Sequence, residues 1–309
     1  MSDFRNYLRA GYPCLYVQTS EEDRAILELT KQADGYSCNM WDIVNGLTDC
    51  QRTRKQDMED PSEAIRSITG LASGSILFVK DAHRFMDDLV FCRTVKNILP
   101  ICKSTDRHII FISPILKIAK ELEKEVTTYE FGLPTVEELL EVAKALVKDN
   151  GLDVPVDLDT IAAAKGLTIA EAENSFARSL VSKKVYDKEI LNSEKLQAVK
   201  KSGLAEIWLP VPENEVGGLD ILKNYIKSRA RGFEENSGLS MPRGILLTGL
   251  PGSGKSLTAK AAASILGLPL IKGDLGTLKG SLVGESEQNM KAFCQLIDSI
   301  SPCVVWLDK

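Results

Sequence analysis

The chain has 309 residues, 44% hydrophobic and 26% charged, which is an ordinary globular composition with length enough for two buried cores. Its 38 Lys+Arg against 43 Asp+Glu leave a net charge of -5, which excludes a protein that coats nucleic acid by bulk charge. No apolar run nears the roughly 18 residues of a membrane span, and Asp3, Arg5 and Arg9 interrupt any signal-peptide core, so a cytoplasmic or equivalent reducing compartment is expected and no membrane partner.

From the N-terminus, short apolar runs alternate with helical patterns, the signature of an α/β domain with a mostly parallel sheet. The predicted strands are Cys14–Thr19, Cys38–Ile43, Ile76–Lys80, His108–Ser113 and Thr127–Phe131. Between the first two, Glu21–Ala33 reads as a helix with Ile26, Leu27 and Thr30 on one face and Ser20 and Asp23 spaced as a capping box. Asp60-Pro61 marks another helix start. The turn after the first strand, Thr19-Ser20-Glu21-Glu22-Asp23, has no glycine and places three carboxylates where a phosphate-binding turn would offer free N–H groups. This domain is therefore expected not to bind nucleotide, and Asp81 and His83, which follow an apolar strand, are expected to be structural. The seven cysteines (14, 38, 50, 92, 102, 294 and 303) form no Cys-x-x-Cys pair, and with only His83 and His108 beside them they argue against a zinc site or a disulfide framework.

From residue 134 strand signals give way to helices at Thr135–Lys148, Leu158–Ala164, Ile169–Leu180 and Ser193–Lys201, with Thr-x-x-Glu capping spacings at Thr135/Glu138 and Thr168/Glu171. Leu209-Pro210-Val211-Pro212 reads as a stiff linker. The basic run Lys227, Arg229, Arg231 reads as a solvated helix face, and no basic-aromatic stripe points to nucleic acid. Gly244–Thr248 is then a predicted strand, followed by Gly249-Leu250-Pro251-Gly252-Ser253-Gly254-Lys255-Ser256 and a helix through Leu266. This matches G-x-x-x-x-G-K-[ST] between strand and helix: the glycines let N–H groups wrap phosphate, Lys255 neutralises its charge and Ser256 offers a hydroxyl to Mg2+. Cys303-Val304-Val305-Trp306-Leu307-Asp308 is an apolar run ending in an acid, and Asp308 is the expected second magnesium residue.

Val216-Gly217-Gly218-Leu219, the loop 249–256 and Gly280-Ser281-Leu282-Val283-Gly284-Glu285-Ser286-Glu287 together resemble the AAA class of hexameric ATPases. More narrowly, Thr19–Arg24, Lys165–Thr168, Ala170–Asn174 and Val283–Glu287 make nearly the whole chain look like the AAA-domain family first noted as a hypothetical reading frame of algal plastids and cyanobacteria. The resemblance implies two P-loop-NTPase-like three-layer α/β domains. The first is degenerate (1–133) with a helical lid (134–205). A linker (206–214) leads to an AAA nucleotide-binding core (215–309), truncated after its third strand. It implies ATP and Mg2+ as ligands, an activity coupling ATP hydrolysis to remodelling of a protein partner, and a homo-oligomer, with the plastid stroma as the alternative location. Val216 and Gly217 take the adenine-side position, and Gly249, Leu250, Pro251, Gly252, Ser253, Gly254, Lys255, Ser256 and Leu257 the phosphate-side positions. Leu282 stands where protein-threading relatives carry an aromatic residue, which speaks against strong gripping of a threaded chain.

Two departures bear on turnover. Lys309 occupies the position where the family places the Glu that orients the attacking water, and a cation cannot accept that water's proton. The family's strand order is 5-1-4-3-2, so a chain reaching Lys309 lacks both neighbours of its phosphate-loop strand. On that reasoning the chain is expected to be a fragment or an interrupted reading frame, or else to pair the strands at Ile245 and Val304 directly. A nucleotide-binding or assembly module without turnover is the competing reading to an ATPase.

Overall fold

The two apolar runs Ser75–Lys80 and Arg107–Ser113 lie at the centre of a seven-stranded sheet. The computed structural model describes residues 4–50, 55–230, 232, 244–278 and 285–308. By contacts the chain divides into two compact units, Met1–Gly132 and Leu133–Lys309.

The N-terminal unit runs α1 (Phe4–Arg9), β1 (Cys14–Gln18), α2 (Glu22–Gln32), β2 (Ser37–Asp42), β3 (Gly46–Asp49), β4 (Lys55–Gln56), α3 (Pro61–Ser67), β5 (Ser75–Lys80), α4 (Leu89–Ser104), β6 (Arg107–Ser113), β7 (Thr127–Tyr129). The sheet order is β4-β3-β2-β5-β6-β1-β7. β2, β5, β6, β1 and β7 are parallel, while β3 and β4 are antiparallel additions at one edge. Counted in chain order, the parallel strands stand 5-1-4-3-2, the order the resemblance implies for an AAA core. Because successive strand side chains face opposite ways, each central strand serves two cores. Tyr16, Leu77, Val79, Ile109 and Phe111 pack under α3 and α4 with Ile65 and Phe91. Leu15, Val17, Ile76, Phe78, Ile110 and Ile112 pack under α1 and α2 with Phe4, Ala25 and Leu29. Each fully buried side chain of this size contributes roughly 1.5–3 kcal/mol, so the sheet is held from both faces.

The sequence expectation for α2 needs correction. Its cap residue is Glu21, with no side-chain capping bond, and the Thr19 hydroxyl accepts the Glu21 N–H at 3.0 Å in place of the Ser20–Asp23 box. The stripe facing the sheet is Ala25, Ile26 and Leu29, whereas Leu27 is 57% exposed. β3 and β4 were not predicted, because their residues are few and partly polar; Asp42 builds the turn between β2 and β3 by accepting the N–H groups of Val44 and Asn45.

The C-terminal unit runs α5 (Val136–Asp149), α6 (Leu158–Ala162), α7 (Ile169–Lys183), α8 (Lys188–Ser202), β8 (Glu206–Trp208), α9 (Asp220–Ala230), α10 (Lys255–Leu266), β9 (Leu270–Asp274), α11 (Leu275–Leu278), α12 (Glu285–Ile300), β10 (Val304–Asp308). Both predicted capping boxes, Thr135 with Glu138 and Thr168 with Glu171, are formed. The helices close on Leu139, Ala143, Phe176, Leu180 and Leu191, and the buried Tyr186 hydroxyl donates to the Ala143 carbonyl at 2.7 Å. Through α8 this bundle continues onto a three-stranded sheet, β10-β9-β8, where Val199 meets Ile271 and Ile300. On the other face α10 supplies Ala259 and Ala263 against Leu270, Trp208, Val304 and Trp306. The stretch expected to be a plain linker thus opens with a strand, since Ile207 and Trp208 each have a core to enter.

Gly244–Thr248, predicted as a strand, is irregular. Its Ile245 and Leu246 are 52% and 88% exposed. The direct pairing of this run with Val304 is also not found, because Val304 pairs in parallel with Leu270 of β9. An apolar run becomes a strand only when a neighbour takes its hydrogen bonds, and among the described residues none lies beside this one.

Gly166 fixes the bundle against α12. Its φ is +96°, and a Cβ there would stand 2.3 Å from the Ser299 carbonyl oxygen. Gly166→Ala is therefore expected to lower unfolding stability by about 2–4 kcal/mol, combining left-handed strain with overpacking, as read from a denaturant midpoint. Lys195 of α8 is buried, and its ammonium is pushed down to about 8, first by burial and then by the charge of Lys165. Between about pH 8 and the unfolded value the unfolded chain holds a proton that the folded one releases, so stability rises with pH across that window. Lys195→Met should remove this rise and stabilise the fold at pH 7 by about 1–2 kcal/mol, measured as denaturant midpoints across the pH range.

Candidate functional site

The residues singled out as phosphate-binding form the turn that opens α10. Gly252 and Gly254 have φ of +80° and +83°, backbone conformations that a side chain would strain, and Gly254 is the residue at the helix cap. The Ser253 N–H closes the turn on the Leu250 carbonyl at 3.2 Å, and the Thr258 hydroxyl donates to the Gly254 carbonyl at 2.9 Å. The Lys255 ammonium folds back over this turn, donating to the carbonyls of Gly249 at 3.0 Å and Leu250 at 2.9 Å. No acid stands in the first turn of α10. The partial positive charge of the helix start and a full positive charge therefore face the same small volume with no carboxylate from the helix itself to balance them.

Ser256 and Asp308 are brought to one end of the sheet by connectivity. α10 packs along the sheet and turns through Gly267 into β9, so it runs against the direction of β9 and of the parallel β10. The helix start carrying Lys255 and Ser256 thus lies at the strand ends where Asp308 stands. Sequence reasoning missed Asp274, which is in register with Asp308 across β9 and β10 and whose carboxylate accepts the Gly276 N–H at 2.8 Å. The run Leu270-Ile271-Lys272-Gly273-Asp274, broken by a lysine, carries only a weak strand signal of its own. Val216 is buried, and its carbonyl and that of Glu213 both accept from the Lys223 ammonium. That turn and α9 pack against α10, which places the Val216-Gly217 segment alongside the helix of the phosphate turn. Pro251 and Leu257 are exposed on the same turn and helix start. Lys309 and Leu282 lie outside the described residues.

This donor set fits a nucleotide triphosphate with Mg2+. Backbone N–H groups, one ammonium and a helix start suit phosphate, while one hydroxyl and one carboxylate suit a cation that keeps several waters and phosphate oxygens as its other ligands.

The corresponding turn of the N-terminal unit is built with the opposite charge. After β1, α2 opens with Glu22 and Asp23, and the Lys80 ammonium at the end of β5 lies 2.9 Å from Asp23 and 3.4 Å from Glu22. Burial raises the Glu22 carboxyl above its usual range despite the attraction of Lys80. For Lys80 burial pulls the other way, but the hydrogen bond and charge of Asp23, with those of Glu22, outweigh it and hold the ammonium above its ordinary value. The next residue, Asp81, has a φ of +55°, and its carboxylate is 3.9 Å from His83, whose buried Nδ1 makes no hydrogen bond among the described residues. The start of α2 is thus met by an internal ion pair.

Residues 1–131 match the family described as the SpoVK-like AAA ATPase N-terminal domain, and residues 245–309 match the ATPase family associated with various cellular activities (AAA). The chain is 34% identical over 316 residues to the uncharacterized AAA domain-containing protein ycf46 of Trieres chinensis, covering 98% of this chain and 64% of that protein. It is 32% identical to the ycf46 protein of Guillardia theta, covering 100% of this chain and 64% of the relative. A shorter likeness, 30% identity over 148 residues, joins 45% of this chain to 20% of the cell division cycle protein 48 homolog of Archaeoglobus fulgidus. The chain thus spans a little under two thirds of the ycf46 proteins it matches. Among the described residues no helix is long and apolar enough to cross a membrane.

The ion pair of the N-terminal unit can be tested by Lys80→Ala. The variant is expected to lose about 1 kcal/mol of stability at pH 7, because Glu22 stays partly buried without its cation. Protonating Glu22, whose carboxyl already lies above its usual range, relieves that deficit, so the difference from wild type should shrink as pH falls through the range where it takes up its proton, measured by denaturant unfolding at each pH.

Proposed function

This chain belongs to the AAA family, with a SpoVK-like N-terminal domain, and on that premise we propose that its C-terminal unit binds one ATP with Mg2+ while its N-terminal unit binds none. The observation that carries this reading is the contrast between the two helix starts: α10 opens on glycines and Lys255 with no acid, whereas α2 opens on Glu22 and Asp23, paired to Lys80. In binding, the Lys255 ammonium exchanges two neutral carbonyls for charged phosphate oxygens, a stronger class of hydrogen bond. The N–H groups of 249–256 wrap the phosphates, Ser256 and Asp308 hold the cation, and the Val216-Gly217 segment lies on the adenine side. When bound, Mg2+ neutralises charge on the β- and γ-phosphates.

For the whole protein, the family supports a homo-oligomer in the cytoplasm or plastid stroma that couples ATP hydrolysis to the remodelling of a protein partner. The residue after Asp308 favours a narrower role for this chain. Lys309 offers no base to a water, so binding without turnover is the activity proposed for it. The N-terminal unit then serves as a degenerate partner-recruiting domain with the ATPase strand order kept and its phosphate turn lost.

Titration with a fluorescent ATP analogue should give one site per chain, dependent on Mg2+. Lys255→Ala should weaken it at least tenfold, about 1.4 kcal/mol, and Asp308→Asn should abolish the Mg2+ dependence. Equal affinity in Lys255→Ala would overturn the site. Phosphate release that requires Lys255 would overturn the non-hydrolysing role and restore the ATPase reading.

A further inference from the structure

All seven cysteines are free thiols, and two of them are placed unlike the rest. β2 and β3 are antiparallel with Asn39 opposite Asp49, so one step further Cys38 faces Cys50. The Cys50 N–H donates to the Cys38 carbonyl at 3.2 Å, which continues the pairing to these two residues. Opposite residues of an antiparallel pair share a face, and both side chains pack half-buried against the core under α2. Directly opposite Cα atoms stand about 4.5–5.5 Å apart, within the roughly 4.4–6.8 Å that a disulfide spans. In a hydrogen-bonded pair the Cβ atoms stand toward about 5.5 Å apart and need to approach by about 1–2 Å to reach the roughly 3.8 Å of a disulfide. By contrast Cys14 and Cys102 are fully enclosed and Cys294 lies exposed on α12.

We propose that Cys38 and Cys50 are a reversible dithiol–disulfide pair, oxidised by small-molecule disulfides of the glutathione class, which locks β3 to β2. The roles of the two sulfurs follow from their surroundings. The Cys50 S–H hydrogen bond favours the Cys38 thiolate and holds it below the ordinary thiol range against the effect of burial, while the same bond and burial keep the proton on Cys50. The Cys38 thiolate attacks one sulfur of the small disulfide, whose S–S bond breaks and releases one thiolate. Cys50 then gives its proton to solvent and its sulfur attacks Cys38 Sγ, expelling the second thiolate. Two protein thiols lose two electrons and two protons, and the reagent becomes two thiols.

The experiment uses the full chain equilibrated at graded ratios of reduced to oxidised glutathione, then alkylated and digested with trypsin. Cleavage after Lys31 and Arg52 leaves both cysteines in one peptide, residues 32–52. The expected result is that this peptide passes from two alkyl groups to none, two hydrogens lighter, and that the oxidised chain melts several degrees higher. Cys38→Ser and Cys50→Ser should lose both changes, with a persistent glutathione adduct on the remaining cysteine of Cys50→Ser. Full alkylation of the wild-type peptide at every ratio, or a glutathione adduct that persists on the wild type, would overturn the proposal.

Discussion

A helix that follows a parallel strand points its positively polarised start at the rim of the sheet, and something negative must meet it. This chain answers that demand in two ways, and much of its organisation follows. At α2 the answer is internal: Glu22 and Asp23 supply the charge, and Lys80 reaches across from the end of β5 to balance the surplus. At α10 the first turn of the helix itself holds no acid and carries Lys255, whose ammonium rests on its own turn's carbonyls. One start is therefore complete without a ligand, and the other carries an excess of positive charge suited to a polyanion. The two helix starts thus differ in the charge that meets them: one is balanced from within its own unit, the other is lined by glycines and a lysine.

The sequence was most legible where structure is decided locally or by burial on both faces. Ile76–Val79 and Ile109–Ile112 could only be central strands, and the Thr135 and Thr168 boxes need nothing beyond four consecutive residues to form. Legibility ended where a distant partner decides. Glu206-Ile207-Trp208 is too short to announce a strand, and it is one because β9 lies beside it. Gly244–Thr248 has a strand's composition and no described neighbour, so composition misled. Ser20 and Asp23 have a capping box's spacing, but Thr19 takes the bond and Asp23 is held by Lys80, 57 residues away.

The candidate site divides in the same way. The run from Gly249 to Ser256 carries its chemistry in its order of residues, because the glycines, the lysine and the hydroxyl act within one turn. Asp274 was hidden because its relation to Asp308 exists only through the register of β9 and β10. The Lys80 pair was hidden for the same reason: nothing within the run Ser75–Lys80 tells whether its final lysine meets solvent or a pair of carboxylates from another turn.

The close approach of Gly166 to Ser299 has a mechanical consequence. Ser299 lies near the end of α12, and the chain passes from there directly into β10 and to Asp308. Close-packed backbone transmits displacement because it has no slack to absorb it. The bundle thus meets the helix that leads into the strand of Asp308 through a contact in which the backbone and Cβ of Ser299 fill the space a methyl group on Gly166 would need. The missing methyl group of Gly166 sets how closely the bundle and α12 can approach.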